Sequence, residues 1–183
     1  MAQVIRGRTP QIETFDGRTP SIGAEVFVHW SAVVIGAVTL GDQVNLWPQV
    51  TLRGDEGTIS IGAGTNIQDG STIHMTGGIS TVSIGARCTV GHQCLLHGCE
   101  IGDDCLIGMG SIILDNTKIG AGSYVAAGTM LTGKKLIPPG SFVMGRPGSL
   151  QIKPLPPLRR QEIELSWRHY VELATKYIAQ RAK

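Results

Sequence analysis

Large aromatic side chains are scarce in this sequence: phenylalanine, tryptophan and tyrosine together make up 5% of its 183 residues. The net charge is only +2, and basic residues gather only at Arg159–Arg160 and in the C-terminal tail. Because a nucleic-acid-binding surface needs a basic stripe, we exclude that class of function. No apolar run reaches the roughly 18 residues that a transmembrane helix requires, so we expect no membrane span.

Signals for export and for a zinc ribbon are also missing. The segment Met1–Arg8 lacks the apolar stretch of a secretory signal peptide. The expected compartment is therefore the cytoplasm, where disulfides are rare. The four cysteines form no CxxC pair, which argues against a zinc ribbon. These cysteines are Cys88, Cys94, Cys99 and Cys105.

Glycine, in contrast, is abundant, with 25 residues, and it often follows an aliphatic residue that recurs every six positions. A period of six fits neither an α-helix nor an uninterrupted strand. It fits short strands joined by tight turns, in which the aliphatic residue points inward and a small companion residue fills the corner. The aliphatic series comprises Ile22, Val28, Val34, Leu40, Leu46, Leu52, Ile61, Ile67, Ile73, Ile84, Val90, Leu96, Ile101, Ile107, Ile113, Ile119, Val125 and Leu131.

Three such steps close a triangular coil of about 18 residues, and such coils stack into a parallel solenoid. The repeat resembles that of the hexapeptide-repeat superfamily, which implies left-handed coiling. We therefore predict a β-class fold, a single-stranded left-handed parallel β-helix. Cys88, Cys94 and Cys105 fall on companion positions, which predicts that they are buried spacers. Cys99 lies in the one shortened step of the series.

The predicted domain organisation is one structural domain with two parts. Residues 1-152 form the β-helix and its proline-containing capping segment. Residues 153-183 form a linker, Lys153 to Pro157, and an amphipathic α-helix from about Arg159 to Ala182 that packs alongside the solenoid. The apolar stripe of this helix is predicted to be Ile163, Trp167, Tyr170, Val171, Ala174 and Ile178.

Two interruptions of the repeat, Gly54 to Ser60 and Met75 to Ser83, lie close to a group of histidines. Loops that leave a rigid scaffold commonly carry function. His74 and His97 each follow an inward aliphatic residue, so both should point outward. His74 and His92 are separated by about one coil of 18 residues, which predicts that they lie one strand spacing apart. His92 and His97 should splay around a corner, so a neighbouring chain could supply one of three histidines to a shared metal.

Three histidines plus water form a recognised catalytic metal arrangement, although outward histidines on a solenoid can also be ordinary surface residues. Arg53 also follows an inward aliphatic residue directly, and Gln68 lies one hexad before His74. The outward surface is therefore predicted to carry Arg53, Gln68, His74 and His97. This density of functional groups favours a metal site.

An ordered set of motifs extends over essentially the whole chain. The motifs are Trp47-Pro48, Arg53-Gly54-Asp55, Asn66-Ile67-Gln68-Asp69-Gly70, Ile73-His74, Val90-Gly91-His92, Leu96-His97-Gly98-Cys99 and Ile107-Gly108-Met109-Gly110. This set resembles the γ-class carbonic anhydrases, in their compact bacterial branch. The resemblance implies a homotrimer in which His74 and His97 come from one subunit and His92 from its neighbour. It implies Zn²⁺ by default, with Fe²⁺ or Co²⁺ possible, and reversible hydration of carbon dioxide to bicarbonate by metal-bound hydroxide.

The resemblance also implies roles for residues around the metal. Gln68 would orient the hydroxide, and Asn66 would help to position that oxygen or carbon dioxide. Glu56 matches a glutamate near the substrate, and Tyr170 resembles a tyrosine near the metal.

Three charged residues, Arg53, Asp55 and Asp69, resemble the ion pairs that join subunits at the site in this family. The segment Met75 to Ser83 departs from the founding enzyme's pattern, because that enzyme has a longer acidic loop with a glutamate proton shuttle. The shorter segment contains no acidic residue. The resemblance therefore supports metal binding more fully than it supports rapid turnover.

Two other functions fit the same fold. Many hexapeptide-repeat proteins are acyltransferases that use a histidine base, and thioester hydrolysis of acyl-CoA is a variant of that function. A transferase needs one histidine and usually a long substrate loop, whereas this sequence has three clustered histidines and short interruptions. The second alternative is a metal-binding trimeric scaffold without significant turnover.

Overall fold

The computed structural model describes residues 9–181, which form twenty strands and one helix. The segment Met1–Arg8, on which the expected compartment rests, and the predicted helix end at Ala182 lie outside the described residues. The elements are β1 (Gln11–Glu13), β2 (Ser21–Ile22), β3 (Phe27–Val28), β4 (Val33–Leu40), β5 (Asn45–Leu46), β6 (Thr51–Ile61), β7 (Asn66–Ile67), β8 (Thr72–His74), β9 (Val82–Ile84), β10 (Thr89–Val90), β11 (Leu95–His97), β12 (Glu100–Ile101), β13 (Leu106–Ile107), β14 (Ile112–Ile113), β15 (Lys118–Ile119), β16 (Tyr124–Val125), β17 (Met130–Leu131), β18 (Leu136–Ile137), β19 (Ser141–Met144), β20 (Gln151–Pro154) and α1 (Pro157–Arg181).

The strands form the predicted left-handed parallel β-helix. A twelve-stranded sheet covers two sides of the coil, because the long strands β4 and β6 run across the corner between them. An eight-stranded sheet forms the third side. Each strand pairs in parallel with its counterpart in the next coil, as Leu96 does with Ile73 and Ile113. Among the strands of the described residues, only β19 and β20 pair antiparallel.

The aliphatic series lines the interior as predicted, with one exception. Leu46, Leu52, Ile67 and Leu96 have no exposed surface, and the other members are buried apart from Ile22. Ile22 is 40% exposed because its strand pairs with β4 on one side, and within residues 9–181 no strand pairs with its other side. The hydrophobic core is therefore a continuous column along the solenoid axis.

The cysteines are buried and free, which confirms the prediction for Cys88, Cys94 and Cys105. The Cys88 thiol donates to the carbonyl of Gly102 over 3.1 Å, one coil away. Cys99, whose place was open, is also buried, and burial raises the pKa of its thiol to about 12. Because only a thiolate is reactive, Cys99 is an inert core residue despite its closeness to His97 in the sequence.

Two segments differ from the sequence-based expectation. Gly54 to Ser60 does not leave the solenoid, because it continues as part of β6 with a register shift against β4. Lys153 and Pro154 are not part of a linker, since they belong to β20, which pairs with β19 and covers the last coil. The interruption after His74 is a true loop that ends at β9.

Helix α1 begins at Pro157, two residues before the predicted start, and packs on the eight-stranded sheet. Proline is well suited to a first helical turn, where its missing N–H has no partner to lose. Ala174 and Tyr170 pack against Phe27 and Trp47, and Ile163 is also buried. Over residues 9–181, no helix is long and apolar enough to cross a bilayer.

Candidate metal centre

His74 and His97 are neighbours on the twelve-stranded sheet. They end β8 and β11, and the two residues are register partners. Their ring centroids lie 5.3 Å apart, and 3.4 Å separates His74 Nδ1 from His97 Nε2. The expectation that His74 would stack on His92 is wrong, because the loop after His74 lengthens this coil. The coil therefore returns to the same place 23 residues later.

Arg53 and Asp55 hold the His74 ring. Asp55 accepts a hydrogen bond from His74 Nε2 over 3.1 Å and pairs with Arg53 over 2.6 Å. Arg53 Nη2 donates to His74 Nδ1 over 3.2 Å. Burial raises the pKa of Asp55, but the hydrogen bonds from Arg53 and His74 outweigh it and the pKa is lowered. The geometry therefore requires the proton of His74 on Nε2 and a lone pair on Nδ1.

Asp115 holds the His97 ring in the same way. Both of its carboxylate oxygens lie 3.2 Å from His97 Nδ1, which places the proton there and leaves a lone pair on Nε2. Burial opposes ionisation of Asp115, yet hydrogen bonds from Ser80 and His97 hold its pKa below the usual value. Sequence reasoning missed Asp115. Its signal was available, since Asp115 follows His97 by 18 residues, one residue more than the coil that pairs Leu96 with Ile113.

His92 lies elsewhere, in the turn after β10 of the eight-stranded sheet. Its Nδ1 lies 3.0 Å from a carboxylate oxygen of Asp69, which is the distance of an ion pair. Both side chains are well exposed, at 43% for His92 and 46% for Asp69. The exposed imidazole of His92 is therefore accessible to a group from outside its own chain.

Asn66 and Gln68 lie on the His92 side of the molecule. Gln68 Nε2 donates to Asn66 Oδ1 over 3.1 Å, and Asn66 Nδ2 donates to Thr89 Oγ1 over 2.8 Å. Gln68 was expected on the outward surface, one side of the coil before His74, but its relative exposure is only 6%. It directly follows β7 on the eight-stranded sheet, the side on which α1 packs.

Tyr170 and Glu56, the last two predicted site residues, lie on different sides of the solenoid. The Tyr170 ring packs edge-on against Trp47, with centroids 5.4 Å apart. Burial and then the charge of Asp69 raise the pKa of Tyr170. Helix α1, which carries Tyr170, packs on the eight-stranded sheet, and His92 follows β10 of the same sheet. Glu56 is exposed, and its Oε2 accepts a hydrogen bond from the backbone N–H of Gly77 over 3.0 Å. Glu56 therefore lies beside the loop that follows His74.

The predicted site residues thus form two groups within one chain. The His74 group comprises Arg53, Asp55, Glu56, His74 and His97. The His92 group comprises Asn66, Gln68, Asp69, His92 and Tyr170.

Comparisons with known proteins agree on the family. The family described as "Bacterial transferase hexapeptide (six repeats)" matches residues 98–133. Protein YrdA of Escherichia coli is 44% identical over 167 residues, covering 88% of this chain and 90% of YrdA. Gamma carbonic anhydrase 1 from mitochondria of Arabidopsis thaliana is 37% identical over 189 residues, covering 99% of this chain and 66% of the plant protein. The chain belongs to the hexapeptide-repeat family, in its γ-carbonic-anhydrase-like branch.

One solved structure is also similar to this chain over most of its length. The crystal structure of a hexapeptide transferase family protein from Anaplasma phagocytophilum has a TM-score of 0.86 and 33% sequence identity. It covers 91% of this chain and 98% of the other. Relatives of high similarity therefore bear both carbonic anhydrase and transferase names, and the side chains must decide between these functions.

The histidine pair of this γ-carbonic-anhydrase-like chain fits two ligands of one metal ion. Two imidazole nitrogens on a tetrahedral Zn²⁺, each about 2.0–2.1 Å from the ion, are separated by about 3.3–3.4 Å. The lone pairs of His74 Nδ1 and His97 Nε2 face each other over 3.4 Å. Arg53 Nη2 donates to the same His74 nitrogen, so this guanidinium would have to move aside. Across residues 9–181, no three His, Cys, Asp or Glu side chains are grouped to hold an ion.

We expect Gly98→Ala to destabilise this family member more than Gly128→Ala does. Both glycines have left-handed backbones, with φ of 63° and 70°, so both substitutions carry the same conformational cost of about 1 kcal/mol. A Cβ at Gly98 would overlap Asp115 Oδ1 and Ser80 Oγ, whereas nothing lies within 4 Å of a Cβ at Gly128. Urea unfolding of the two variants measures the difference. Equal losses of stability would show that the contacts around Asp115 yield without cost.

Proposed function

We propose that this chain catalyses the metal-dependent, reversible hydration of carbon dioxide to bicarbonate at a site shared between subunits of a homotrimer. The observation that supports it best is the division of the histidines. His74 and His97 present two lone pairs 3.4 Å apart, and His92 stands in a separate group with its own carboxylate. A second copy of the chain would bring its His92 group to the His74 group. The proposed compartment is the cytoplasm.

The proposed ion is Zn²⁺, with Fe²⁺ or Co²⁺ as the other candidates. When bound, such an ion supplies the Lewis acidity that makes a nucleophile available from water near neutral pH. Each histidine has a carboxylate of this chain beside its ring, as metal-binding histidines commonly do. Asp55 holds His74, Asp115 holds His97 and Asp69 holds His92.

The remaining groups would orient the substrate and move the proton. Gln68 donates its N–H to Asn66, which leaves its Oε1 able to accept a hydrogen bond from the reacting oxygen. The chain from Gln68 through Asn66 to Thr89 keeps that amide in one orientation. Glu56 is the exposed carboxylate beside the loop after His74, and the N–H of Gly77 holds its Oε2. Its Oε1 would then accept the proton in place of the acidic group that the loop after His74 lacks.

Stopped-flow measurement of carbon dioxide hydration tests the proposal. We expect the protein loaded with Zn²⁺, or anaerobically with Fe²⁺, to accelerate hydration. His97→Ala should reduce the rate to the uncatalysed background because it removes one ligand of every site. His29→Ala is the matched control, since it removes a histidine that lies outside both groups and bonds to Ser31. Stoichiometric metal with a background rate in the unaltered protein would reject the anhydrase function.

Acyl transfer is the second candidate, and the relative named as a hexapeptide transferase family protein favours it. A thioesterase acting on acyl-CoA would use the same histidines. The two functions separate in one experiment, in which acyl-CoA consumption is followed on the same metal-loaded samples. A protein that binds metal but turns over neither carbon dioxide nor acyl-CoA would be the trimeric scaffold.

A further inference from the structure

The Asp115 carboxylate gathers three donors from two separate parts of the chain. His97 Nδ1 lies 3.2 Å from both of its oxygens. Ser80 Oγ donates to Oδ1 over 2.5 Å, and Thr76 Oγ1 donates to Oδ2 over 3.2 Å. Asp115 is therefore the point at which a candidate metal ligand and the loop after His74 meet.

The loop is folded onto this carboxylate. The backbone N–H groups of Ile79 and Ser80 both donate to the Thr76 carbonyl over 3.1 Å, which forms a compact turn. The Thr76 N–H lies 3.3 Å from Ser80 Oγ, so the two hydroxyl residues also hold each other. A turn with both of its ends fixed on one carboxylate cannot shift without disturbing that carboxylate.

The surroundings leave Asp115 little freedom. Gly98, the residue after His97, has φ of 63°, and an added Cβ there would overlap both Asp115 Oδ1 and Ser80 Oγ. The Asp115 backbone is itself fixed, since its carbonyl accepts a hydrogen bond from the N–H of Lys134 over 2.9 Å. The carboxylate therefore lies in a close-fitting recess between the loop and β11.

We propose that Asp115 is a positioning residue that fixes the Nδ1–H tautomer of His97 and aims its Nε2 at His74, and that it ties the Thr76–Ser80 turn to this histidine. The proposal rests on the proposed metal site. Because coupling between two sites is reciprocal, metal binding at His97 should also order the turn, and loosening the turn should weaken metal binding. A carboxylate that only anchored the loop would leave the metal unaffected.

The test compares Asp115→Ala, Asp115→Asn and Ser80→Ala with a matched control, Asp103→Asn. Asp103 is also a corner aspartate, and its Oδ1 accepts a hydrogen bond from the N–H of Ala86 over 2.8 Å. Nitrogen-15 NMR of selectively labelled histidine reports the tautomer of His97 in metal-free protein, with His97→Gln to assign the signal. Zn²⁺ affinity is measured by competition with a chelating dye, and amide exchange of residues 76–80 by mass spectrometry.

We expect Asp115→Ala to release the Nδ1–H tautomer and to lower Zn²⁺ affinity by about 10- to 100-fold. Asp115→Asn should rescue most of the affinity, because its amide oxygen can still accept the His97 proton. Ser80→Ala should speed amide exchange in the turn and lower Zn²⁺ affinity by less than Asp115→Ala does. Zn²⁺ should slow exchange of the turn in the unaltered protein but not in Asp115→Ala. Asp103→Asn should change none of these values.

Asp115→Ala that keeps the Nδ1–H tautomer, or that binds Zn²⁺ as tightly as the unaltered protein, would overturn the proposal. Should that variant fail to fold, Ser80→Ala decides the question: faster amide exchange in the turn with Zn²⁺ affinity equal to that of the unaltered protein would overturn the proposal. These readouts are separate from carbon dioxide hydration. A protein that binds Zn²⁺ without turnover would refute the anhydrase function and leave the role of Asp115 standing. If no metal binds, the tautomer of His97 in the metal-free protein still decides whether Asp115 positions this histidine.

Discussion

His92→Ala and His97→Ala should each abolish carbon dioxide hydration alone, whereas trimers assembled from an equal mixture of the two variants should recover part of it. If one site takes His74 and His97 from one subunit and His92 from the next, a mixed interface can contain all three ligands. Random assembly places the two intact halves together at about one quarter of the interfaces. We therefore expect about one quarter of the metal and activity of the unaltered protein.

The mixture must be formed by unfolding and refolding the two variants together, so that subunits exchange. Mixing the folded variants without exchange is the control and should stay inactive. A second control combines His74→Ala with His97→Ala. These two residues lie in the same group, 3.4 Å apart in one chain, so their mixture should recover nothing. Recovery in this pair, or no recovery in the first, would contradict the division of ligands between subunits.

The fold was predictable because one physical rule repeats along the chain. Every sixth residue faces a narrow core, and only an aliphatic side chain fits there at low cost. Leu52, Ile73 and Leu96 obey that rule and are completely buried. The small companion positions, including Cys88 and Cys94, follow from the same geometry. Once these inward positions are assigned, the parallel pairing of strands in successive coils follows from the repeat.

The pairing of the site histidines was not predictable from the nominal coil. Counting 18 residues per coil favours His74 with His92, but the loop after His74 adds residues without adding height. His74 consequently pairs with His97, 23 residues on. The candidate ligands could be chosen from the sequence, whereas which of them are neighbours depends on how the loop closes.

The residues that lie beside the histidines were also only partly predictable from the sequence. Asp115 lies close to one coil after His97 and could have been found once His97 was placed on β11, which pairs with β14. Asp69 and His92 are register neighbours only because β7 pairs with β10, which the interrupted repeat obscures. Tyr170 could be placed on the helix from its spacing, but its approach to Trp47 and Asp69 depends on how α1 docks.

Removal of metal should lower the stability of the protein by a large and reversible amount. A ligand that binds only the folded state, at about 1,000 times its dissociation constant, stabilises it by about 4 kcal/mol. For a chain of this size, that corresponds to a fall in unfolding temperature of about 10 °C. Scanning calorimetry before and after dialysis against a chelator, and after return of Zn²⁺, measures the change. His92→Ala should show no such shift, because its sites lack one ligand.

The concentration dependence of this effect distinguishes a shared site from one within a single chain. An ion held between subunits stabilises the trimer and not the isolated chain, so the metal-free protein should dissociate at higher concentration than the metal-loaded protein. Sedimentation velocity over a dilution series measures that difference. An equal loss of unfolding temperature without any change in dissociation would place all ligands in one chain. Such a result would contradict the proposal that His92 of one subunit completes a site begun by His74 and His97 of another. The rings of His74 and His97 lie 5.3 Å apart, between centroids, within one chain.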